Sequence, residues 1–185
     1  MDALDTLVNE HGLIRQFLDN LSLAGECIEE GRRPPREFFD QAIVFARTFA
    51  DKFHHFKEED MLFVRLAQRH GGEIDAQLEA LKHQHVRGRT LVSGMAESIE
   101  GYAADDSART STLLESMAAY GSLLRHHIHT EDHVFFPLAR KKLDGADKRE
   151  LETEFLKIQG KYGGDMFQRS HKMVVDMGSM LTHLR

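Results

Sequence analysis

The chain of 185 residues has no tryptophan, three prolines, three tyrosines and one cysteine, Cys27. A single thiol forms no internal disulfide, so the fold rests on its core alone, and a reducing cytoplasmic setting is expected. No apolar run reaches the roughly eighteen residues of a membrane span. The acidic start, MDALDTLVNEHG, lacks the basic and apolar regions of a secretory leader. Positive charge is also short: 24 Lys and Arg against 30 Asp and Glu leave a net charge of -6. That balance argues against a nucleic-acid partner, whose phosphate backbone needs a basic surface. With only three prolines, and Ala, Leu, Glu, Lys, Arg and Met dominant, the composition predicts an all-α protein.

The apolar share of 41% is enough for one sizeable core. The breakers cut the chain into helices. Leu4, Leu7, Val8, His11, Ile14, Leu18 and Leu21 form a stripe at helical spacing within a first helix from Asp2 to Glu30. Gly31 and Pro34-Pro35 punctuate it, and a second helix runs from Pro35 to His70. Gly71-Gly72 separates a third, Glu73 to Ala104, and Asp105-Asp106-Ser107 caps a fourth, Ser107 to Lys142, with a kink or break expected at Pro137. Four long helices with short links predict an antiparallel up-down four-helix bundle over residues 1–143. Residues 144–185 read as a C-terminal helical extension packed on the same domain: a helix from Ala146 to Gln159, a break at Gly160 to Gly164, and a last helix with Met173, Met177 and Met180 on one stripe.

What the sequence has in excess is histidine, twelve in all. Two runs share the pattern HHxxxEDxxF. His54-His55, Glu59-Asp60 and Phe63 lie in the second helix, and His126-His127, Glu131-Asp132 and Phe135 in the fourth, at a constant offset of 72 residues. More faintly, His11 with Arg15 echoes His85 with Arg89 at an offset of 74. Residues four apart on an α-helix differ by only about 40° around the axis. His55 with Glu59, and His127 with Glu131, therefore share a face, and these faces otherwise carry Leu, Val and Phe. Buried carboxylates without partners cost several kcal/mol each. A pair of cations removes that cost, since imidazole suits iron, zinc or copper and a carboxylate can bridge two ions.

His54 and His126 stand about 100° away and read as interface or surface residues, although a slip of register exchanges His54/Glu58 for His55/Glu59. His83, His129 and His133 read as residues outside the ligand set, with His83 the candidate for a fifth imidazole. Asp60 and Asp132 orient ligands or are solvated. Tyr120, His70, His171, His183 and Cys27 read as core or surface residues.

The sequence resembles the hemerythrin-like (HHE cation-binding) family, whose pattern is a histidine, then HxxxE, then a histidine, then HxxxE, one on each of four helices. The resemblance spans about Asp5 to Leu138. It implies His11, His55, His85 and His127 as terminal metal ligands and Glu59 and Glu131 as bridges. It also implies two oxo- or hydroxo-bridged iron ions, with zinc or manganese as alternatives. The implied function is binding or sensing of O2, NO or peroxide; a di-iron oxidoreductase on peroxide or NO, or iron storage and handling, are the alternatives. No nucleic-acid or membrane partner follows from it, and a homodimer is compatible. Hemerythrins proper carry a second histidine on the third helix, where Leu81 and Arg89 stand here. They also use His-x-x-x-x-Asp on the fourth, which His127 and Asp132 satisfy; the 140° between those two in a regular helix favours Glu131 instead.

Overall fold

The computed structural model describes residues 2–184, and among these every regular element is helical. Helix α1 is Ala3–Glu29, α2 spans residues 36–70, α3 is Asp75–Ala103, α4 spans residues 107–142, α5 is Gly145–Lys161 and α6 is Met166–Thr182. The ends are built locally. Asp2 and Asp5 form a capping box on α1, Asp106 accepts from the amides of Ala108 and Arg109 at the start of α4, and Asp144 and Asp147 cap α5 in the same way. Gly31, at φ 79, closes α1 in the left-handed conformation that other residues enter only with strain. No described helix is long and apolar enough to cross a membrane.

The core splits into two apolar clusters. One gathers residues such as Leu13, Phe17, Phe45, Phe49, Val92, Met117 and Leu124. The other gathers Leu4, Leu7, Phe63, Leu66, Leu78, Phe135 and Phe136. Along α1 and α3 the chain passes from the second cluster to the first; along α2 and α4 it passes from the first to the second. That alternation is the up-down-up-down course of a four-helix bundle. Helices α5 and α6 cover it. Leu151 and Phe155 join one cluster, Val174, Met177 and Leu181 the other, and Asn20 Nδ2 donates to the carbonyl of Val174 at 2.8 Å.

Two helices are not regular. Helix α2 has wide, π-type turns at Ala46–His55 and Glu58–Leu62, and α4 has them at Glu131–Phe135. Each such turn takes up an extra residue and is a common feature of functional sites. The break expected at Pro137 takes the form of the third wide turn, immediately upstream of a proline that has no N–H to contribute, and the helix then continues to Lys142.

Candidate metal centre

On each of the four bundle helices, the junction between the two apolar clusters is occupied by polar side chains. His11 comes from α1, His54, His55 and Glu58 from α2, His85 from α3, and His127 and Glu131 from α4. All seven are buried, none more than 5% exposed. Their inner atoms converge. Glu131 Oε2 lies 3.1 Å from His127 Nε2 and 3.3 Å from His11 Nε2. Glu58 Oε1 is 3.4 Å from His54 Nε2, its Oε2 is 3.5 Å from His85 Nε2, and the Nε2 atoms of His85 and His127 are 2.9 Å apart. The donors form two groups, each compact enough to hold an ion: His55, Glu58, His85 and His127 in one, and His11, His54, Glu58 and Glu131 in the other. Glu58 belongs to both.

Of the six residues expected from the sequence, the structure brings together His11, His55, His85, His127 and Glu131. It does not bring in Glu59, whose side chain is 22% exposed behind His85. The one-residue correction has a structural cause. The expected register assumed a regular α-helix, whereas the wide turns of α2 flank this segment on both sides and rotate Glu58 into the interior. His54 turns inward with it, four residues ahead of Glu58. In α4 the wide turn begins only at Glu131, so His127 and Glu131 keep the spacing of an ordinary turn. His83, His126, His129 and His133 are exposed.

Behind the inner donors lies an outer set that fixes the rings. His11 Nδ1–H donates to Asp132 at 2.7 Å, and Arg15 donates to the other oxygen of Asp132. His85 Nδ1–H donates to Glu59 at 2.7 Å, and Arg89 joins Glu59 at 2.6 Å and Asp51 at 2.8 Å. His54 Nδ1–H donates to Glu10 at 2.8 Å and His127 Nδ1–H to Gln84 Oε1 at 2.7 Å. A partner on Nδ1 sets the tautomer that leaves the Nε2 lone pair facing inward, the usual arrangement around a metal-bound histidine. These contacts also reveal the true internal repeat. His54, Glu58 and Glu59 pair with His127, Glu131 and Asp132 at an offset of 73, and Glu10, His11 and Arg15 pair with Gln84, His85 and Arg89 at an offset of 74. Among the inner donors every one has a counterpart except His55, whose equivalent is the buried Ile128.

The electrostatics follow from packing charge without water. Burial opposes ionisation of Glu131, yet His127 and His11 hold its carboxyl well below the usual carboxylate range. Burial likewise opposes a charge on His54, but Glu58 and Glu10 together lift it to about 10. Burial and the neighbouring His55 and His127 push His85 well down, and burial lowers His55. Lys57, almost fully buried, donates to Glu10 and lies over the Phe53 ring at 3.8 Å, with burial pulling its pKa down. The set is incomplete as it stands. His11 Nε2, His54 Nε2 and both oxygens of Glu58 and Glu131 are buried with no hydrogen-bond partner. Nitrogen and oxygen donors about 3 Å apart suit the edges of a coordination shell with bonds of about 2.1 Å. The donor set therefore fits metal ions.

Glu10, His54, Lys57 and Glu58 were not assigned to the site from the sequence. The available signal for Glu10 was its place on the apolar stripe, three residues from both Leu7 and Leu13. Asp132→Ala is expected to weaken metal binding by about 10–100-fold while leaving it measurable, since it releases the His11 ring without removing an inner donor. Glu131→Ala is expected to do far more damage. Metal titration of the two variants checks the order.

Residues 2–139 match the family described as Hemerythrin HHE cation binding domain. Uncharacterized proteins from Mycobacterium bovis and from two strains of Mycobacterium tuberculosis are 27% identical over 153 residues, covering 83% of this chain. The chain aligns with 59% of the length of each of these relatives. No solved structure matches it.

Proposed function

We propose that this chain, which belongs to the hemerythrin HHE cation-binding family, holds two iron ions at this centre and binds or senses O2, NO or peroxide there. The observation that carries the reading is a cluster of buried atoms with no partner, six of them on His11, His54, Glu58 and Glu131 and a seventh on His55. Four of them are carboxylate oxygens, and leaving carboxylates uncompensated in a dry interior costs several kcal/mol each. His55, His85 and His127 would hold one ion and His11, His54 and Glu131 the other, with Glu58 reaching both. His55 then supplies the fifth imidazole that the third helix, with Leu81 and Arg89 at the neighbouring turns, does not provide. Five imidazoles and two carboxylates suit iron better than zinc, which prefers tetrahedral nitrogen and sulfur sites.

An iron pair supplies one-electron redox chemistry and coordination positions for small ligands. The chain's own contribution is to fix and dry the site. The carboxylates of Asp132, Glu59 and Glu10 and the amide of Gln84 hold four of the five imidazoles in place, and the Phe- and Leu-rich clusters flank the site on both sides.

Protein purified without oxygen is expected to contain close to two iron ions per chain, and its visible and near-ultraviolet absorption is expected to change on exposure to O2, NO or peroxide. Iron-free protein from iron-replete cells, or a spectrum indifferent to all three ligands, would rule the proposal out.

A further inference from the structure

Beside the metal donors the two halves of the bundle differ. Beside His55 lies a cavity of about 350 Å³ between α2, α3 and α4, walled by Asp51, Gly88, Arg89, Val92 and Tyr120 and rimmed by Arg47 and Lys52. The equivalent positions in the other half are solid core: Ile14 for Gly88, Leu18 for Val92, Leu124 for Asp51 and Ile128 for His55, all buried. The space thus arises from a specific set of smaller or polar residues on one side only. It is about ten times the roughly 30 Å³ share of one water molecule and falls in the range of organic-ligand pockets, well beyond what a diatomic needs.

The charge at the rim gives the sign of the occupant. The chain is acidic overall, yet Arg47 and Lys52 make no ion pair among the described residues. The wide turns of Ala46–His55 bring them one turn apart on the face that also carries Asp51 and His55. Asp51 is already engaged by Arg89 at 2.8 Å. Two free cations stand over an apolar wall that leads to one imidazole of the centre.

We propose that this cavity binds a small amphiphilic carboxylate, its anionic head on Arg47 and Lys52 and its apolar body over Gly88, Val92 and Tyr120 toward His55. The placement of the ligand at the metal centre rests on the function proposed above; binding to the cavity does not. Gly88 offers a clean plug, because it lines the cavity and a Cβ added there meets only the Tyr120 ring, itself part of the lining, at an ordinary 3.7 Å.

The test is calorimetric titration of the full chain, metal-loaded and chelated, with hexanoate, 1-hexanol and hexylammonium. Hexanoate is expected to bind both forms, with the other two at least tenfold weaker. Gly88→Leu, and separately Arg47→Glu with Lys52→Glu, are expected to weaken hexanoate at least tenfold while metal content stays at the wild-type level. The double variant changes two exposed side chains without partners, so it folds whatever becomes of the plug. Equal affinity for 1-hexanol or hexylammonium, or hexanoate affinity unmoved by the charge reversal, overturns the proposal. A chain that binds hexanoate but no iron sinks the metal assignment and leaves the cavity standing; one that binds iron but no hexanoate does the reverse.

Discussion

Glu58→Ala is expected to abolish binding of both metal ions, whereas Glu59→Ala, one residue away, is expected to retain them with affinity reduced about 10–100-fold. Glu58 is fully buried, both its oxygens lack partners, and it is the one residue common to the two donor groups. Glu59 touches the centre only through His85 Nδ1 and Arg89. Loss of a ligand present at about a thousand times its dissociation constant removes roughly 4 kcal/mol of apparent stability. For a chain of this size that is about 10 °C in melting temperature. In chelated protein the loss should be smaller but of the same sign, because Glu58 also faces the buried His54, and removing one partner of a buried pair is itself destabilising. Metal analysis and thermal melts of both variants, loaded and chelated, decide the matter. Retention of both ions by Glu58→Ala with loss in Glu59→Ala would restore the regular register and dismantle the site as drawn.

The same residue marks where the sequence ceased to be readable. Helix boundaries were legible to within two residues because they are local: Gly31, Pro35, Gly71-Gly72, Asp106 and Gly163-Gly164 act through their own backbones. The inward placement of His11, His85, His127 and Glu131 was legible too, since each lies on an apolar stripe of a helix that is regular up to that point. The choice between Glu58 and Glu59 depends on wide turns, and nothing in the local sequence specifies them. HHxxxED occurs in both α2 and α4, but the extra residue falls before the carboxylate in one and at it in the other. An offset of 72 is thus the repeat of the letters, and 73 that of the side chains in space. Lys57 and Glu10 escaped for another reason. A lone charge on an apolar stripe looks like an error of register until its partner, 47 residues away, is seen to neutralise it.

Chelated protein is expected to lose stability as pH rises from about 6.5 to 10, while metal-loaded protein holds or gains it over the same interval. His54 is raised to about 10 in the fold, despite its burial, by Glu58 and Glu10. Its contribution is therefore complete below its unfolded value near 6.5 and is lost as pH climbs through 10. His11 acts in the same sense, burial being outweighed by Asp132 and Glu131. His55 and His85 are depressed by burial, so they withdraw stability on the other side, as pH falls below about 6.5. Glu131 and Asp132, held low by their histidines against the effect of burial, do so only in more acid solution. The metal-free chain should accordingly be most stable near neutrality, and the alkaline loss should be on the order of a few kcal/mol. Metal binding reverses that slope because cations and protons compete for the same imidazoles, and higher pH favours the cation. Melting curves of the two forms should diverge between pH 7 and pH 9. Parallel curves would mean that the protons on His54 and His11 and the metal ions do not occupy the same place, and the centre could not be the one described.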